Sequence, residues 1–340
     1  MTNSHSNHKV VFRLSALGDV VLTTGAIEFW AEKHHCTFTV ITKKSSSPVL
    51  ENNPHIKNVI SLDKKDLGDL AWIKKAGEIA AEYKGCELID LHSTLRSRIL
   101  AARWQGKVSR YNKFSIERRL FRLTRSARLN DRLSEMRVTQ RYVSATEKVI
   151  PAASELLPRI YLTDSEKKLA LRLAEENELG NGFVALHPYA THPDKAWPLE
   201  SWKALISMLE ASGIKWAIIG RDDNIFEPQE DGSNFTNKLH LRETCALLER
   251  AGLLITGDSG PMHLSASVGT PVIAIFGPTS KAWGFYPAGP RDSILESDLD
   301  CRPCSLHGKS NCGKDRECLR KISAEKVFEK ILEKVGNTDS

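Results

Sequence analysis

The 340-residue sequence contains no apolar run approaching the roughly 18 residues of a membrane-spanning helix, so such a helix is excluded. It has no secretory leader pattern either. The polar start MTNSHSNHK runs into VVFRLSALGDVVLTTG, where charges and glycines interrupt the apolar stretch that a leader needs. A cytoplasmic protein is expected. Cysteine is scarce and odd in number, at seven, which excludes a secreted disulfide framework. Cys36, Cys86 and Cys245 lie in apolar or helical surroundings and read as buried free thiols. Several catalytic signatures are also missing. There is no glycine-rich dinucleotide fingerprint, no P-loop, no HExxH, no Cys–His catalytic arrangement and no GxSxG elbow.

An ordinary globular composition remains, 41% hydrophobic and 26% charged. The length suits about two domains of ~150 residues. Lys and Arg number 48 against 42 Asp and Glu, a formal charge of only +6. That average conceals one basic segment. Between Arg96 and Arg141 stand 14 basic and 3 acidic residues, so the rest of the chain is net acidic. The segment is poor in aromatics and carries no nucleic-acid-binding motif. A nucleic acid partner is therefore not expected, whereas an anionic small molecule or an anionic membrane surface would suit it equally.

Strand and helix patterns alternate along the chain. Strands are expected at Lys9–Leu14, Thr37–Ile41, Val59–Leu62, Glu87–Leu91 and Val108–Arg110, with helices at Val20–Lys33, Ala71–Tyr83 and Arg96–Trp104. After a Pro- and Ala-rich stretch, Thr163 or Asp164 is placed to cap a helix with Glu166 in its first turn. A second alternating series starts at Gly182, and Ala324–Val335 forms a last amphipathic helix. This order predicts two α/β domains with mostly parallel sheets. Their expected bounds are 1–160 and 161–322, followed by a helix and tail over 323–340.

Ligands in such sheets gather beyond the carboxyl ends of the strands, which directs attention to four loops. Asp19 in SALGD follows the first strand, either over the crevice or merely capping its helix. HPYATHPDK follows the first strand of the second series, where Lys195 is suited to neutralise a diphosphate and Thr191 to donate to its oxygens. In TGDSGPMH a strand ends and a helix starts with Pro261 in its first turn, leaving amide groups and a positive helix end for a phosphate. FGPT ends the next strand at the same sheet edge. Cys301, Cys304, Cys312 and Cys318 crowd into 18 residues. They read either as a structural zinc site of unfamiliar spacing or as reduced cysteines in a loop.

Taken together, LSALGDVVLTTGAI, IDLHSTLRSRILA, HPYATHPDKAWPLESWKALI, LLITGDSGPMHLSASVGTPVIAIFGPT and the cysteine segment resemble the family 9 glycosyltransferases, the ADP-heptose:lipopolysaccharide heptosyltransferases. The resemblance runs from Val11 to about Val335. It implies a GT-B fold of two facing Rossmann-like domains, the first binding the acceptor and the second the nucleotide sugar, with the last helix returning to the first domain. It implies inverting transfer of heptose from ADP-heptose to a heptose or Kdo sugar of the lipopolysaccharide inner core, without a required cofactor, at the cytoplasmic face of the inner membrane. By the same resemblance Asp19 is the catalytic base and Lys195 binds the donor phosphates. Asp258, Ser259, Gly260, Met262 and His263 form the donor loop, with Thr191 beside it. Arg96, Arg98, Lys113 and Arg118 then face a phosphorylated, lipid-linked glycan acceptor or the anionic membrane that carries it.

Two stretches depart from the family pattern. RDDNIFEPQEDGSNFTN is short and acidic, with Glu227 as the candidate for the donor ribose, and HSTLRS replaces the common HGL-type loop. Two other readings stay open: the same fold using another nucleotide sugar or glycan acceptor, and a non-catalytic polyanion-binding protein.

Overall fold

The computed structural model describes residues 7–224, 226, 233–306, 308 and 312–335. Glu227 and the tail beyond Val335 lie outside the described residues. The first half of the chain runs β1 (His8–Phe12), α1 (Leu17–His34), β2 (Thr37–Lys43), β3 (Ile56–Leu62), α2 (Asp69–Glu82), β4 (Glu87–Asp90), α3 (Leu95–Arg103) and β5 (Val108–Arg110). Three helices follow: α4 (Ser115–Thr124), α5 (Ala127–Ser134) and α6 (Val138–Val143). The second half runs α7 (Asp164–Glu176), β6 (Val184–His187), α8 (Leu199–Ala211), β7 (Trp216–Ile218), β8 (Ser233–Asn234), α9 (Leu241–Arg250), β9 (Leu253–Gly257), α10 (Gly260–Ser267), β10 (Val272–Phe276), β11 (Ser293–Glu296), α11 (Glu317–Arg320) and α12 (Ala324–Val335).

These elements form two compact units. One holds the residues up to Phe114 together with Met136–Tyr161; the other holds Ser115–Glu135 and the residues from Leu162 onward. The first sheet has the order β3-β2-β1-β4-β5 and the second β11-β10-β9-β6-β7-β8, with every pairing parallel. Both are Rossmann-type orders, which reverse direction between β1 and β4 and between β6 and β9. The central strands are buried almost throughout, as helices on both faces of a parallel sheet require. Val10, Phe12, Leu88 and Leu100 pack with Trp72 in the first core, and Leu186, Leu205, Ile255 and Ile275 with Trp202 and Trp216 in the second.

Local signals account for several boundaries. Thr163 caps α7: its hydroxyl accepts from the Glu166 amide at 3.3 Å while the Glu166 carboxylate accepts from the Thr163 amide at 2.7 Å. In α1, Gly25 is required by close approach, since a Cβ there would lie 2.3 Å from the Leu156 carbonyl oxygen. Gly18 lies within the first turn of α1.

Two expectations are corrected. The helices over 115–135, placed by sequence in the first domain, pack in the second unit, because Phe121 stacks edge-on against Trp283 at 5.8 Å. The last helix, expected to return to the first domain, packs on α8 and β10 of its own unit, with Val327 and Ile331 fully buried in that core. Its apolar face matches the surface that α8 and the Trp197–Trp202 pair leave open, and the Trp197 indole donates to the Ile322 carbonyl at 2.9 Å just before the helix begins.

Candidate active site

In the first unit the strand reversal brings the loop after β1 beside the loop after β4. Arg13 leaves β1 still held by its amide, which donates to the Ile41 carbonyl at 3.0 Å. Its guanidinium turns inward and is only 4% exposed. There Nη2 lies 2.5 Å from Asp19 Oδ1, and Nη1 donates to the Leu91 carbonyl at the end of β4. The fully buried Tyr142, on α6, donates its hydroxyl to the same Asp19 oxygen at 2.9 Å. The Ala16 amide donates to Oδ2 at 3.1 Å. Asp19 therefore does cap its helix, with one oxygen, while the other is held by a buried cation and a phenol.

Burial pushes the Asp19 carboxyl up, but the Arg13 charge and the three hydrogen bonds outweigh it and hold the group below the usual carboxylate range. Burial likewise keeps the Tyr142 phenol protonated, as a donor. His92, in the loop after β4, is driven down to about 4 by burial and by the charges of Arg13 and Lys113, so it is neutral near pH 7. Its loop is fixed by Asp90, whose Oδ1 accepts from the amides of His92 (3.0 Å) and Ser93 (2.8 Å) while Oδ2 accepts from Arg110 Nε at 2.7 Å.

In the second unit the reversal between β6 and β9 brings Lys195 to Asp258. Lys195 Nζ lies 2.7 Å from Asp258 Oδ2 and donates to the Asp258 carbonyl at 3.2 Å. Thr279, in the loop after β10, donates to the same Oδ2 at 2.8 Å. Ser259 stands at the N-cap of α10 without capping it. Its hydroxyl contacts Thr256 Oγ1 at 3.0 Å and His187 Nδ1 at 3.3 Å. The positive end of α10, beginning at Gly260, thus has no side-chain cap and suits an anion. Burial holds His187 at about 4, hence neutral. Met262 and His263 are buried beneath this loop, at 0% and 5% exposure, whereas Thr191 is exposed. Met262 therefore offers the site its backbone rather than its side chain.

The cysteine segment folds onto these same loops. Arg316 Nη1 donates to the carbonyls of Pro193 and Ala196 at 3.2 and 3.3 Å, clamping the turn that carries Lys195. Arg302 donates to the carbonyls of Gly277 and Thr279 at 2.6 and 3.2 Å. Gly308, at φ +83°, sits so close that a Cβ would lie 2.6 Å from Lys195 Cγ. Among the described residues none of the seven cysteines forms a disulfide, and no three His, Cys, Asp or Glu side chains converge on a metal position. Burial pushes the Cys318 thiol up to about 11, against the pull of Arg302 and with the push of Cys304, Cys312 and Cys301. Of the two readings of the cysteine segment, the described residues bring no metal-binding cluster together, and the segment's visible contribution is to buttress two loops.

The basic segment does not form one surface. Arg96 and Arg98 are exposed on α3, Arg96 donating to the Leu67 carbonyl at 2.9 Å, and Lys113 is half-buried in the same unit. Arg118, expected beside them, belongs to the second unit, where it is buried, donates to the Trp283 carbonyl at 3.0 Å and lies over the Phe285 ring. Arg141 is 1% exposed beneath Phe114. Sequence reasoning missed Arg13 and Tyr142, and it singled out the loops of His92, His187 and Thr279 without giving those side chains a role. Arg13 left one trace, as a charge at the end of an apolar strand.

The family model for glycosyltransferase family 9 (heptosyltransferase) matches residues 86–314. The chain belongs to that family. It is a glycosyltransferase. Over 106 residues it is 33% identical to lipooligosaccharide heptosyltransferase 2 of Campylobacter jejuni, a match spanning 31% of this chain and 32% of that one. It is 27% identical over 273 residues to the Haemophilus influenzae lipooligosaccharide heptosyltransferase 2, covering 73% and 77% of the two chains. Among solved structures, a family 9 glycosyl transferase from Veillonella parvula superposes with a TM-score of 0.78 at 22% identity, covering 98% of both chains. An Escherichia coli heptosyltransferase solved with ADP-2-deoxy-2-fluoro heptose gives 0.65 at 17%, covering 96% and 99%. At those identities the likeness is one of fold. The family 9 chain thus has a heptosyltransferase-type α/β fold, and no helix among its described residues is long and apolar enough to cross a membrane.

Proposed function

We propose that this family 9 enzyme transfers heptose, with inversion, from ADP-heptose to a sugar of the lipopolysaccharide inner core. The observation that carries the reading is the placement of opposite chemistry at the two strand reversals. An ionised, tightly held carboxylate, Asp19, stands in one unit; a lysine and an uncapped helix start stand in the other. The names of the relatives supply the sugar and the acceptor class, and the Escherichia coli enzyme solved with an ADP-sugar analogue supports the donor.

The acceptor hydroxyl attacks the anomeric carbon from the face opposite the diphosphate. As the new C–O bond forms, the bond to the β-phosphate oxygen breaks and ADP leaves with the electron pair. Asp19 takes the hydroxyl proton. Its Oδ2, which holds only the Ala16 amide, is the oxygen with room to do so, because Oδ1 is taken by Arg13 and Tyr142. Lys195 and the amides of residues 260–262 stabilise the charge that develops on ADP. Asp258 and Thr279 hold Lys195 at that position until the donor arrives. Arg96, Arg98 and Lys113 meet phosphates of the acceptor, and the enzyme works at the cytoplasmic face of the membrane that carries this glycan.

The test is incubation of the full chain with ADP-heptose and a heptose-deficient core acceptor, reading ADP release and acceptor mass. A gain of one heptose is expected. Asp19→Asn is expected to slow turnover by about 10²- to 10⁴-fold while sparing donor binding. Release of the donor's own nucleoside diphosphate and mass gain with a different nucleotide sugar alone would instead establish the same fold with another donor. No release with any donor would reject the transfer reading.

A further inference from the structure

We propose that α4 is a docking helix for an anionic lipid bilayer. The helix has two apolar faces. One faces inward: Phe121 stacks on Trp283 and Arg118 is tied to the Trp283 carbonyl. The other faces solvent. Ile116, Leu120 and Leu123 stand four and three residues apart, which aligns them on one stripe, and they are 70%, 45% and 70% exposed. An inner anchor fixes the helix, so the outer stripe is held out rather than free to fold away.

The charges around this stripe select the partner. Arg119 lies on it, and Arg125, Arg128 and Arg132 are exposed on the following turn and α5. The 115–135 segment carries six arginines and three acids, one of which, Glu117, lies 3.9 Å from Arg132. Apolar side chains flanked by arginines match the interface of a bilayer with anionic headgroups: the stripe enters the acyl boundary and the guanidinium groups meet phosphates. A nucleic acid would leave the stripe in water. Elsewhere, Leu70 is as exposed, at 84%, but it stands beside Asp66 and Asp69, so its charge surroundings do not suit an anionic surface.

This deepens the function proposed above, since an acceptor carried on a lipid is met at such a surface. Its test needs no sugar donor, so the two readings fail separately. The full chain is sedimented with vesicles of phosphatidylcholine alone and of phosphatidylcholine mixed with phosphatidylglycerol, at low and high salt. Binding is expected to the mixed vesicles only, and to weaken with salt. The triple variant Ile116→Ser, Leu120→Ser, Leu123→Ser is expected to bind at least about tenfold more weakly, while Leu70→Ser binds like the parent. Leu120→Trp is expected to shift its fluorescence to the blue on mixed vesicles, a readout that does not depend on the triple variant folding. The proposal is overturned if the parent chain ignores mixed vesicles, if the two serine variants lose binding equally, or if Leu120→Trp shows no shift. It is also overturned if the triple variant changes only the chain's self-association.

Discussion

The Arg13–Asp19 pair permits a worked prediction. Its atoms are 2.5 Å apart, and the two side chains are 5% and 13% exposed. Replacing Arg13 by Met leaves a carboxylate in the same desolvated place with only Tyr142 and the Ala16 amide. Removing one partner of a buried pair costs about 3–5 kcal/mol. Asp19→Asn removes the opposite charge and leaves Arg13 facing the Leu91 carbonyl and the Tyr111 hydroxyl, which lies 3.5 Å from Nη1. The double variant removes both charges at once. Its loss should therefore fall short of the sum of the single losses by about 2–3 kcal/mol. Urea unfolding of the four proteins at pH 7, compared in the same transition, gives the coupling.

The pH dependence supplies a second sign. In the parent chain the Asp19 pKa lies below its ordinary value, so its contribution is present above that value and disappears as pH falls through the folded one. In Arg13→Met burial dominates and the pKa lies above the ordinary value. The variant then suffers most at neutral pH and recovers relative to the parent on acidification. A coupling near zero, or a stability difference that does not change between pH 7 and pH 4, would show that Arg13 does not hold Asp19 ionised.

Three further outcomes follow from other contacts. Gly25→Ala drives a Cβ to 2.3 Å from the Leu156 carbonyl and should cost about 1–3 kcal/mol, whereas Gly68→Ala, whose nearest contact is 3.8 Å, should change the melting temperature little. His187, buried and held at about 4 against an ordinary 6.5, favours the folded state only while neutral. Stability should fall by up to about 3 kcal/mol as pH drops from 6.5 towards 4, and His187→Asn should flatten that part of the curve. Lys195→Ala should weaken ADP binding by about 10- to 100-fold in calorimetry, the worth of a charge-assisted contact. Thr279→Val should weaken it less, because Thr279 reaches the lysine only through Asp258; an equal or larger loss would mean that Thr279 touches the nucleotide itself.

Much of the fold was legible because short apolar runs and helical periods alternate cleanly. The strand Val108–Arg110 and the helix Ala324–Val335 have the bounds expected from sequence. What periodicity does not contain is affiliation. Helix α4 follows β5 directly in the chain, yet it packs where Trp283 is, more than 160 residues further on. The last helix announces an apolar face without announcing which surface it meets. The two-residue β8 and the short α6 carry too few residues for any period to show.

The candidate site divides along the same line. Asp19, Lys195 and Asp258 could be named from sequence because their loops follow buried parallel strands and carry motifs that resemble family 9, and their proposed roles rest on that resemblance. Tyr142 left no such mark, since it stands on a separate helix 123 residues from the carboxylate it holds. Its contribution is nonetheless specific. A buried carboxylate without partners would take up a proton, and one surrounded by donors on both oxygens would have no place to receive one. Arg13 and Tyr142 both act on Oδ1, which keeps the group ionised, while the opposite oxygen keeps a lone pair beyond the Ala16 amide. The asymmetry follows from the fold: β1 delivers Arg13 from beneath the loop, α6 brings Tyr142 to the same side, and the first turn of α1 supplies only one amide to the other. A carboxylate held on one side in this way stays charged and remains able to accept a proton, two properties that a base at a strand reversal needs together.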